Sequence, residues 1–193
     1  MTKWEEWKNR LDPQNGDTFR VEGERLFHLA GKVPSPLWIV ELGTFKGYSC
    51  LCMASGSLGR PDACVACVDA WGLDVISFTI ETMGIFLQNT FVAGLQQRVL
   101  PLRMMTTEGA KIWPAGWGIG LLHIDAAHDY ASVCGDVRAW VGHLASGATV
   151  TFHDYNREKR FDGVTQLVDE LRGQPQWTDF RVTNFLAELT YRP

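Results

Sequence analysis

The sequence lacks the features that mark membrane, secreted and nucleic-acid-binding proteins. No apolar run approaches the roughly 20 residues that a membrane-spanning helix needs. Residues 1–7 are charged and lack the apolar core of a signal peptide. Basic residues are not in excess, because 18 lysines and arginines stand against 22 acidic residues and the net charge is −4. We therefore expect a cytoplasmic protein with neither a membrane nor a nucleic acid among its partners.

Cysteines are odd in number, which argues against a complete disulfide framework. The five are Cys50, Cys52, Cys64, Cys67 and Cys134. Cys64 and Cys67 have the spacing of a redox or zinc half-site. They stand in an apolar, strand-like run, however, and no second Cys/His pair lies at zinc-finger spacing. The sequence therefore predicts buried, reduced thiols.

Motifs of three common enzyme classes are also missing. Gly43 and Gly47 are spaced as Gly-x-x-x-Gly, which is not the Gly-x-Gly-x-x-Gly of dinucleotide-binding folds. Lys46 precedes a glycine where a phosphate-binding P-loop has serine or threonine. No Ser-His-Asp set points to acyl transfer.

Strands and helices alternate along most of the 193 residues, a length that favours one domain with a sizeable core. Buried strands are predicted at 37–42, 63–69, 98–103, 118–125 and 147–153. Helices are predicted at 3–10, 17–31, 47–58, 75–94, 106–112, 129–145 and 163–172. A terminal antiparallel hairpin is predicted at 177–182 and 185–191. This α/β pattern implies a mostly parallel sheet covered on both faces. We expect an N-terminal helical cap at 1–36 and a single folding unit at 37–193.

Polar residues stand where the first two strands end, which is the edge at which open α/β sheets bind ligands. Gly43 and Gly47 permit a tight turn and a close approach of a ligand to the backbone. The helix N-terminus that follows favours an electron-rich group. Glu41 lies inside an apolar strand, and a bond to a cofactor amino group or to loop amides would explain a carboxylate there. Asp69 either accepts hydrogen bonds from ribose hydroxyls or caps the next turn.

Two further acids, Asp125 and Asp154, follow apolar strands four and five. If these strands are neighbours, both carboxylates meet in one cleft and repel each other unless a proton or a cation joins them. Hard oxygen ligands of this kind suit Mg²⁺, which would help an acceptor hydroxyl to lose its proton. The alternative is that both acids serve only as helix caps and hydrogen-bond acceptors.

Several motifs occur together in a fixed order. They are Glu41-Leu-Gly43-Thr-Phe-Lys-Gly47-Tyr-Ser49, Val68-Asp69, His123-Ile-Asp125-Ala-Ala-His128-Asp-Tyr130, Gly147, His153-Asp154-Tyr155 and Gly163-Val164. This set resembles the class I S-adenosylmethionine-dependent methyltransferases, and within them the subgroup of macrocin O-methyltransferase and cephalosporin-hydroxylase-like proteins. The resemblance covers about residues 37–172 and implies a three-layer, Rossmann-like sheet.

The resemblance also implies that S-adenosylmethionine lies over the carboxyl ends of strands one, two and four. The residues implied around the cofactor are Glu41, Gly43, Thr44, Gly47, Tyr48, Ser49, Asp69, Trp71, Thr106 and Asp125. Asp69 would bind the ribose and Thr106 would touch the adenine. Trp71 would lie against the adenine or ribose, with ordinary packing as the alternative.

Metal-dependent catechol O-methyltransferases share part of this arrangement, and the similarity implies a catalytic set. Asp125 would be a metal ligand, and either His153 or Asp154 would take the first place of an acid–amide ligand pair. His128 would stand over the acceptor hydroxyl as the base, ahead of His153, unless it only caps the helix starting near Asp129. Histidine suits this role because its ordinary pKa lies near working pH. His123 is expected to be a core residue.

The combined prediction is an S-adenosylmethionine-dependent O-methyltransferase that uses Mg²⁺ and acts on a hydroxyl of a small molecule, such as a sugar, a glycoside or a phenol. Two alternatives stay open: a metal-independent methyltransferase with a histidine base, and a non-catalytic cofactor-binding protein on the same fold. A homo-oligomer, in which the Trp4/Trp7 segment reaches a neighbour, would supply a lid over the acceptor site.

Overall fold

The computed structural model describes residues 3–11, 18–73, 80–157 and 162–193. The helices are α1 (Lys3–Trp7), α2 (Arg20–Ala30), α3 (Tyr48–Gly56), α4 (Ile80–Val92), α5 (Thr106–Ile112), α6 (Tyr130–Trp140) and α7 (Asp162–Leu171). The strands are β1 (Trp38–Leu42), β2 (Val65–Asp69), β3 (Val99–Arg103), β4 (Ile119–Ile124), β5 (Leu144–Phe152), β6 (Trp177–Thr183) and β7 (Leu186–Tyr191). No helix in these described ranges is long and apolar enough to cross a membrane.

The strands form one sheet in the order β3-β2-β1-β4-β5-β7-β6. The first five strands in this order pair in parallel, and β7 pairs antiparallel with both β5 and β6. The predicted Rossmann-like sheet with a terminal antiparallel hairpin is therefore confirmed. The order reverses between β1 and β4, so their carboxyl ends form the crevice where such sheets bind ligands.

Two apolar clusters cover the two faces of the sheet, which explains why the central strands read as continuous apolar runs. One cluster joins residues of α5, α6 and α7, including Trp140 and Leu167, to Val40 and Val150. The other joins α2 and α3, including Leu26 and Met53, to the opposite face. The N-terminal helix α2 thus shares a core with the sheet, while the proposed division at residue 36 stays a prediction.

The largest boundary error concerns the end of α6. The helix ends at Trp140, not at residue 145, and a short 3₁₀ turn leads into β5 at Leu144. The pairing of β5 with β4 shifts register within this stretch, and Gly147 takes a φ of 84° there. The bulge lets residues that continue a helical pattern join the sheet instead. The start of the predicted helix 75–94, up to residue 79, and residues 158–161 after β5 lie outside the described residues.

Candidate functional site

The loop between β1 and α3 is shaped by its two glycines. Gly43 and Gly47 have φ values of 83° and 93°, a region that side chains disfavour. A methyl group added at Gly43 would lie 2.3 Å from the carbonyl oxygen of Asp125. Gly47 is the N-cap residue of α3. Glycine at position 43 is therefore needed so that the loops after β1 and β4 can meet.

Asp69 holds this loop in place from the end of β2. Its Oδ2 accepts hydrogen bonds from the backbone N–H groups of Thr44 (2.7 Å) and Phe45 (2.9 Å). Its Oδ1 accepts from the backbone N–H of Trp71 at 2.7 Å. Three of about four acceptor positions of the carboxylate are occupied in this way. The capping alternative is therefore present. The ribose contact stays a prediction, and one acceptor position of the carboxylate remains for it.

Trp71 packs in the interior. Its side chain has no exposed surface, its Nε1 donates to the carbonyl oxygen of Phe45 at 2.9 Å, and its ring stacks on Phe86 at 5.2 Å. Phe86 in turn lies directly against Gly47. The structure therefore favours ordinary packing, the alternative for Trp71, because no face of the ring is open to a ligand.

Three side chains predicted at the cofactor also face inward. Glu41, Tyr48 and Ser49 are buried, and Glu41 Oε1 accepts from Ser49 Oγ at 2.5 Å. Burial raises the pKa of Glu41 to about 8, so its carboxyl is protonated at neutral pH. In this structure the Glu41 carboxyl thus bonds Ser49 of α3, and the predicted cofactor contacts of Glu41, Tyr48 and Ser49 stay predictions.

Thr106 begins α5, and its hydroxyl is already in use. It donates to Asp136 Oδ1 at 2.5 Å, while the backbone carbonyl of Thr106 accepts from Trp140 Nε1 at 3.0 Å. Burial raises the pKa of Asp136 to about 6, although the Thr106 hydroxyl opposes the rise. The predicted adenine contact of Thr106 stays a prediction, and any such contact must be shared with Asp136.

The loops after β4 and β5 bring two acids and a histidine together. His128 Nε2 lies 2.9 Å from Asp154 Oδ2 and 3.8 Å from Asp125 Oδ1. Burial opposes a charge on His128, but hydrogen bonds to both acids outweigh it and raise its pKa to about 9. Burial likewise opposes ionisation of both carboxyls, yet the histidines hold their pKa values well below the usual range. The predicted convergence of Asp125, His128 and Asp154 is therefore present.

His153 serves this cluster as a bridge. Its Nδ1 lies 3.1 Å from Asp125 Oδ1, and its Nε2 lies 3.0 Å from Glu22 Oε2. Burial disfavours the imidazolium, but Asp125 and the other acids raise the pKa of His153 to about 12. Both ring nitrogens are occupied by carboxylates, so His153 has no lone pair for a metal or for an acceptor proton. Its predicted roles as metal ligand and base are therefore not supported.

Two backbone features fix the position of His128. Asp129 is the N-cap of α6 and accepts from the backbone N–H of Ser132 at 3.0 Å, so His128 is not the cap. Gly163 packs on the same loop, where an added methyl group would lie 2.2 Å from the Tyr130 nitrogen and 2.6 Å from the His128 carbonyl oxygen. Close contact of α7 with this loop thus depends on glycine at position 163.

Comparison with known proteins agrees with this arrangement. A family model described as a methyltransferase domain matches residues 40–155, from β1 to the residues after β5. The chain belongs to this methyltransferase family. The predicted class I S-adenosylmethionine-dependent methyltransferase is thereby confirmed. A comparison with curated protein sequences finds no match.

Solved structures show the same fold at low sequence identity. TomG, an O-methyltransferase from Streptomyces achromogenes in complex with S-adenosylmethionine, is 15% identical and covers 100% of this chain and 90% of its own, with a TM-score of 0.72. The O-methyltransferase from Bacillus cereus in complex with S-adenosylhomocysteine is 16% identical, with coverages of 98% and 91% and a TM-score of 0.69. The S-adenosylhomocysteine-bound methyltransferase PaMTH1 from Podospora anserina is 14% identical, with coverages of 99% and 86% and a TM-score of 0.70.

Sequence reasoning missed one residue of the methyltransferase site. Glu22 on α2 is fully buried. Besides His153, it accepts from the backbone N–H groups of Phe19 (2.8 Å) and Phe185 (3.0 Å) and from Asn184 Nδ2 (2.8 Å). These donors hold the pKa of Glu22 below its usual value against the effect of burial. Glu22 therefore connects the N-terminal helix and the β6–β7 turn to the cluster of Asp125, His128, His153 and Asp154.

Arg157 completes the cluster on the outer side. Its Nη1 donates to Asp154 Oδ1 at 2.7 Å. Its guanidinium carbon lies 5.4 Å from the ring centroid of Phe19 and 5.8 Å from that of Phe185. Lys159 and Arg160, which follow Arg157 closely in the sequence, lie outside the described residues. His123 is buried and bonds Thr151 Oγ1 at 2.9 Å, which agrees with its predicted place in the core.

The donor set of the cluster fits a divalent cation. Ligand atoms of Asp125, His128 and Asp154 all lie within 4.8 Å of one another. Two carboxylates are the hard oxygen donors that Mg²⁺ prefers, and a histidine nitrogen is a common third ligand for other divalent ions. The residues that fit a divalent cation are therefore Asp125 and Asp154, and His128 lies beside them.

Proposed function

We propose that this methyltransferase transfers the methyl group of S-adenosylmethionine to a hydroxyl of a small molecule, with help from a divalent cation such as Mg²⁺. One observation carries the proposal. Asp125, His128 and Asp154 converge beside the glycine loop at the reversal point of the sheet. Similar solved structures described as O-methyltransferases support the reaction type.

Cofactor binding is assigned to the backbone of the loop between β1 and α3. The N–H groups at the start of α3 favour an electron-rich group such as a carboxylate. Asp69 keeps this loop in one conformation through the backbone N–H groups of Thr44 and Phe45. A fixed loop lowers the entropic cost of positioning the methyl donor for an in-line displacement.

The chemical step is assigned to the acid–histidine cluster. A divalent cation held by Asp125 and Asp154 would stabilise the oxyanion of the acceptor. A cation bound by both acids would take the place of the proton that they hold on His128 Nε2. The partly exposed His128 Nε2 would then be able to receive the proton of the acceptor hydroxyl. His153 and Glu22 position Asp125 from the interior side. Arg157 holds Asp154 from the outside.

The test is methyl transfer from isotopically labelled S-adenosylmethionine to a panel of phenols, sugars and glycosides, with Mg²⁺ or with chelator. We expect turnover with Mg²⁺, loss of turnover in chelator, and a drop of at least about 100-fold in kcat for Asp154→Asn. Asp179→Asn is the matched control, because Asp179 is an exposed acid on β6 and its removal leaves the cluster intact. Full turnover in chelator would remove the cation from the proposal.

A second candidate uses the same residues without a metal. It is favoured by the contact between His128 Nε2 and Asp154 Oδ2 at 2.9 Å, since a protonated imidazole can join the two acids as a cation does. Chelator-insensitive turnover that falls in His128→Ala would support it. Cofactor binding with no turnover across the panel would support the non-catalytic alternative instead.

A further inference from the structure

A second group of metal-binding side chains lies beneath the glycine loop, on the face of the sheet that α3 covers. Glu41 and Cys67 are partners on the paired strands β1 and β2, and Cys50 approaches them from α3. Their ligand atoms all lie within 4.8 Å of one another, and the two Sγ atoms are 2.9 Å apart. None of the three residues has exposed surface. Neither the acid–histidine cluster nor the proposed reaction uses them.

Two oxygen atoms at this place have no hydrogen-bond partner within the described chain. They are Glu41 Oε2 and Thr44 Oγ1. The Thr44 hydroxyl is close enough to Glu41 and Cys67 to lower the pKa of both, but neither contact has the geometry of a normal hydrogen bond. A buried polar atom without a partner costs about 1–3 kcal/mol, so such atoms call for a ligand, an ion or a water. The sulfur atoms of Cys50 and Cys67 and these two oxygens are thus four atoms that could bind one metal ion.

We propose that Glu41, Cys50 and Cys67 bind one thiophilic divalent cation of the zinc type. Zinc binds cysteine sulfur at about 2.3 Å and oxygen at about 2.0–2.2 Å in a tetrahedron, which leaves room for the Thr44 hydroxyl or a water as fourth ligand. In that geometry the sulfurs separate from 2.9 Å to about 3.8 Å, which relieves their close contact. Both thiols and the Glu41 carboxyl, which is protonated at neutral pH, lose their protons to solvent as they bind the ion.

Cys64 and Cys67 have the spacing of a redox or zinc half-site, although the sequence favoured buried, reduced thiols. Cys64 and Cys67 are three residues apart at the start of β2, and residues at an odd spacing in a strand face opposite sides. Cys67 therefore meets Cys50 of α3 instead of Cys64. A disulfide between Cys50 and Cys67 is disfavoured because burial raises the pKa of both thiols, and a thiol must ionise before it exchanges. A bound cation stabilises the thiolates directly.

Binding of the cation would stabilise the conformation of the glycine loop. Cys50 follows the start of α3 by two residues, and Glu41 precedes Gly43 by two. A cation that joins them fixes both ends of the loop that we assign to the cofactor. A ligand that binds only the folded chain also stabilises it, so we expect the thermal midpoint to rise with the cation even without S-adenosylmethionine.

The experiment uses the reduced, chelator-treated full chain titrated with Cd²⁺, a spectroscopic substitute for zinc that gives ultraviolet sulfur-to-metal charge transfer. We expect one Cd²⁺ per chain, displacement by Zn²⁺, and at least about a tenfold loss of affinity in Cys50→Ser and Cys67→Ser. Cys64→Ser is the matched control and should bind as the wild type does. Circular dichroism checks that each variant is folded, and alanine replaces serine where it is not.

The proposal is overturned if folded Cys50 and Cys67 variants keep the charge-transfer band, or if Cys64→Ser loses it. It is also overturned if the wild-type chain shows no band or is found by mass spectrometry with a Cys50–Cys67 disulfide. Proton release on Zn²⁺ addition gives a readout from the wild type alone. At least two protons per cation are expected, and fewer would contradict binding by both thiolates.

Discussion

The stability of the variant Asp136→Asn relative to the wild type is expected to increase with pH. Asp136 is buried on α6, where its Oδ1 accepts the Thr106 hydroxyl. Burial raises its pKa from 3.8 to about 6. Between these two pH values the folded chain binds more protons than the unfolded chain. The stability of the wild type therefore falls as pH rises from about 4 to about 6 and is level above that.

The size of the effect follows from the two pKa values. The difference between a pKa of 3.8 and one of about 6 corresponds to about 3 kcal/mol, since a tenfold change in the proton affinity is about 1.4 kcal/mol. Asparagine has no charge to bury, so its advantage over aspartate should grow from about 1 kcal/mol near pH 4.5 to about 3 kcal/mol near pH 7.5. The new amide N–H₂ group adds a desolvation cost of about 1–3 kcal/mol that does not vary with pH. The slope with pH, not the absolute difference, therefore tests the reasoning.

Urea unfolding of the wild type and Asp136→Asn across this pH range measures the slope. Thr106→Val provides a second arm, because the Thr106 hydroxyl lowers the Asp136 pKa. Without this hydroxyl the Asp136 pKa should be higher, so the stability of Thr106→Val should level off at a higher pH than that of the wild type. A stability difference between wild type and Asp136→Asn that stays constant with pH would refute a raised pKa at this position.

Three further predictions concern packing and pairing around the same sheet. Trp71→Phe removes the buried indole donor to the glycine loop, and unfolding should show a loss of about 1–2 kcal/mol. Gly163→Ala should lower kcat and cost about 1–3 kcal/mol of stability through overpacking, whereas Gly173→Ala, with nothing closer than 3.5 Å, should change neither. Arg25→Met leaves the carboxylate of Glu188 buried without its partner and should cost about 2–4 kcal/mol. Adding Glu188→Gln should recover most of that loss in a denaturant series.

The elements that the sequence predicted well are those with a strong local signal. The strands β1, β2, β3, β4 and both strands of the hairpin begin and end within about two residues of the prediction, because continuous apolar runs between glycine and polar breakers leave few alternatives. The convergence of Asp125 and Asp154 followed from the same pattern, since acids at the ends of neighbouring parallel strands meet at one edge.

Predictions that depended on side-chain direction succeeded less well. Trp71, two residues after Asp69, was given a role at the cofactor, yet the chain turns there with a φ of 38° and buries the ring against Phe86. The Glu41 side chain points to Ser49 beneath the loop. A sequence position fixes which loop a residue belongs to, but packing of the next helix decides whether its side chain faces the ligand or the core.

The sequence by itself determined the order of the elements, the parallel sheet and the loops that carry the site, because hydrophobic period and turn chemistry are local properties of the chain. Only the tertiary structure decided that Glu22 reaches His153, 131 positions away, and that Cys67 pairs with Cys50 instead of Cys64. Both contacts arise where separate elements pack together. Their partners are chosen by the geometry of the packed core, and no local pattern encodes that geometry.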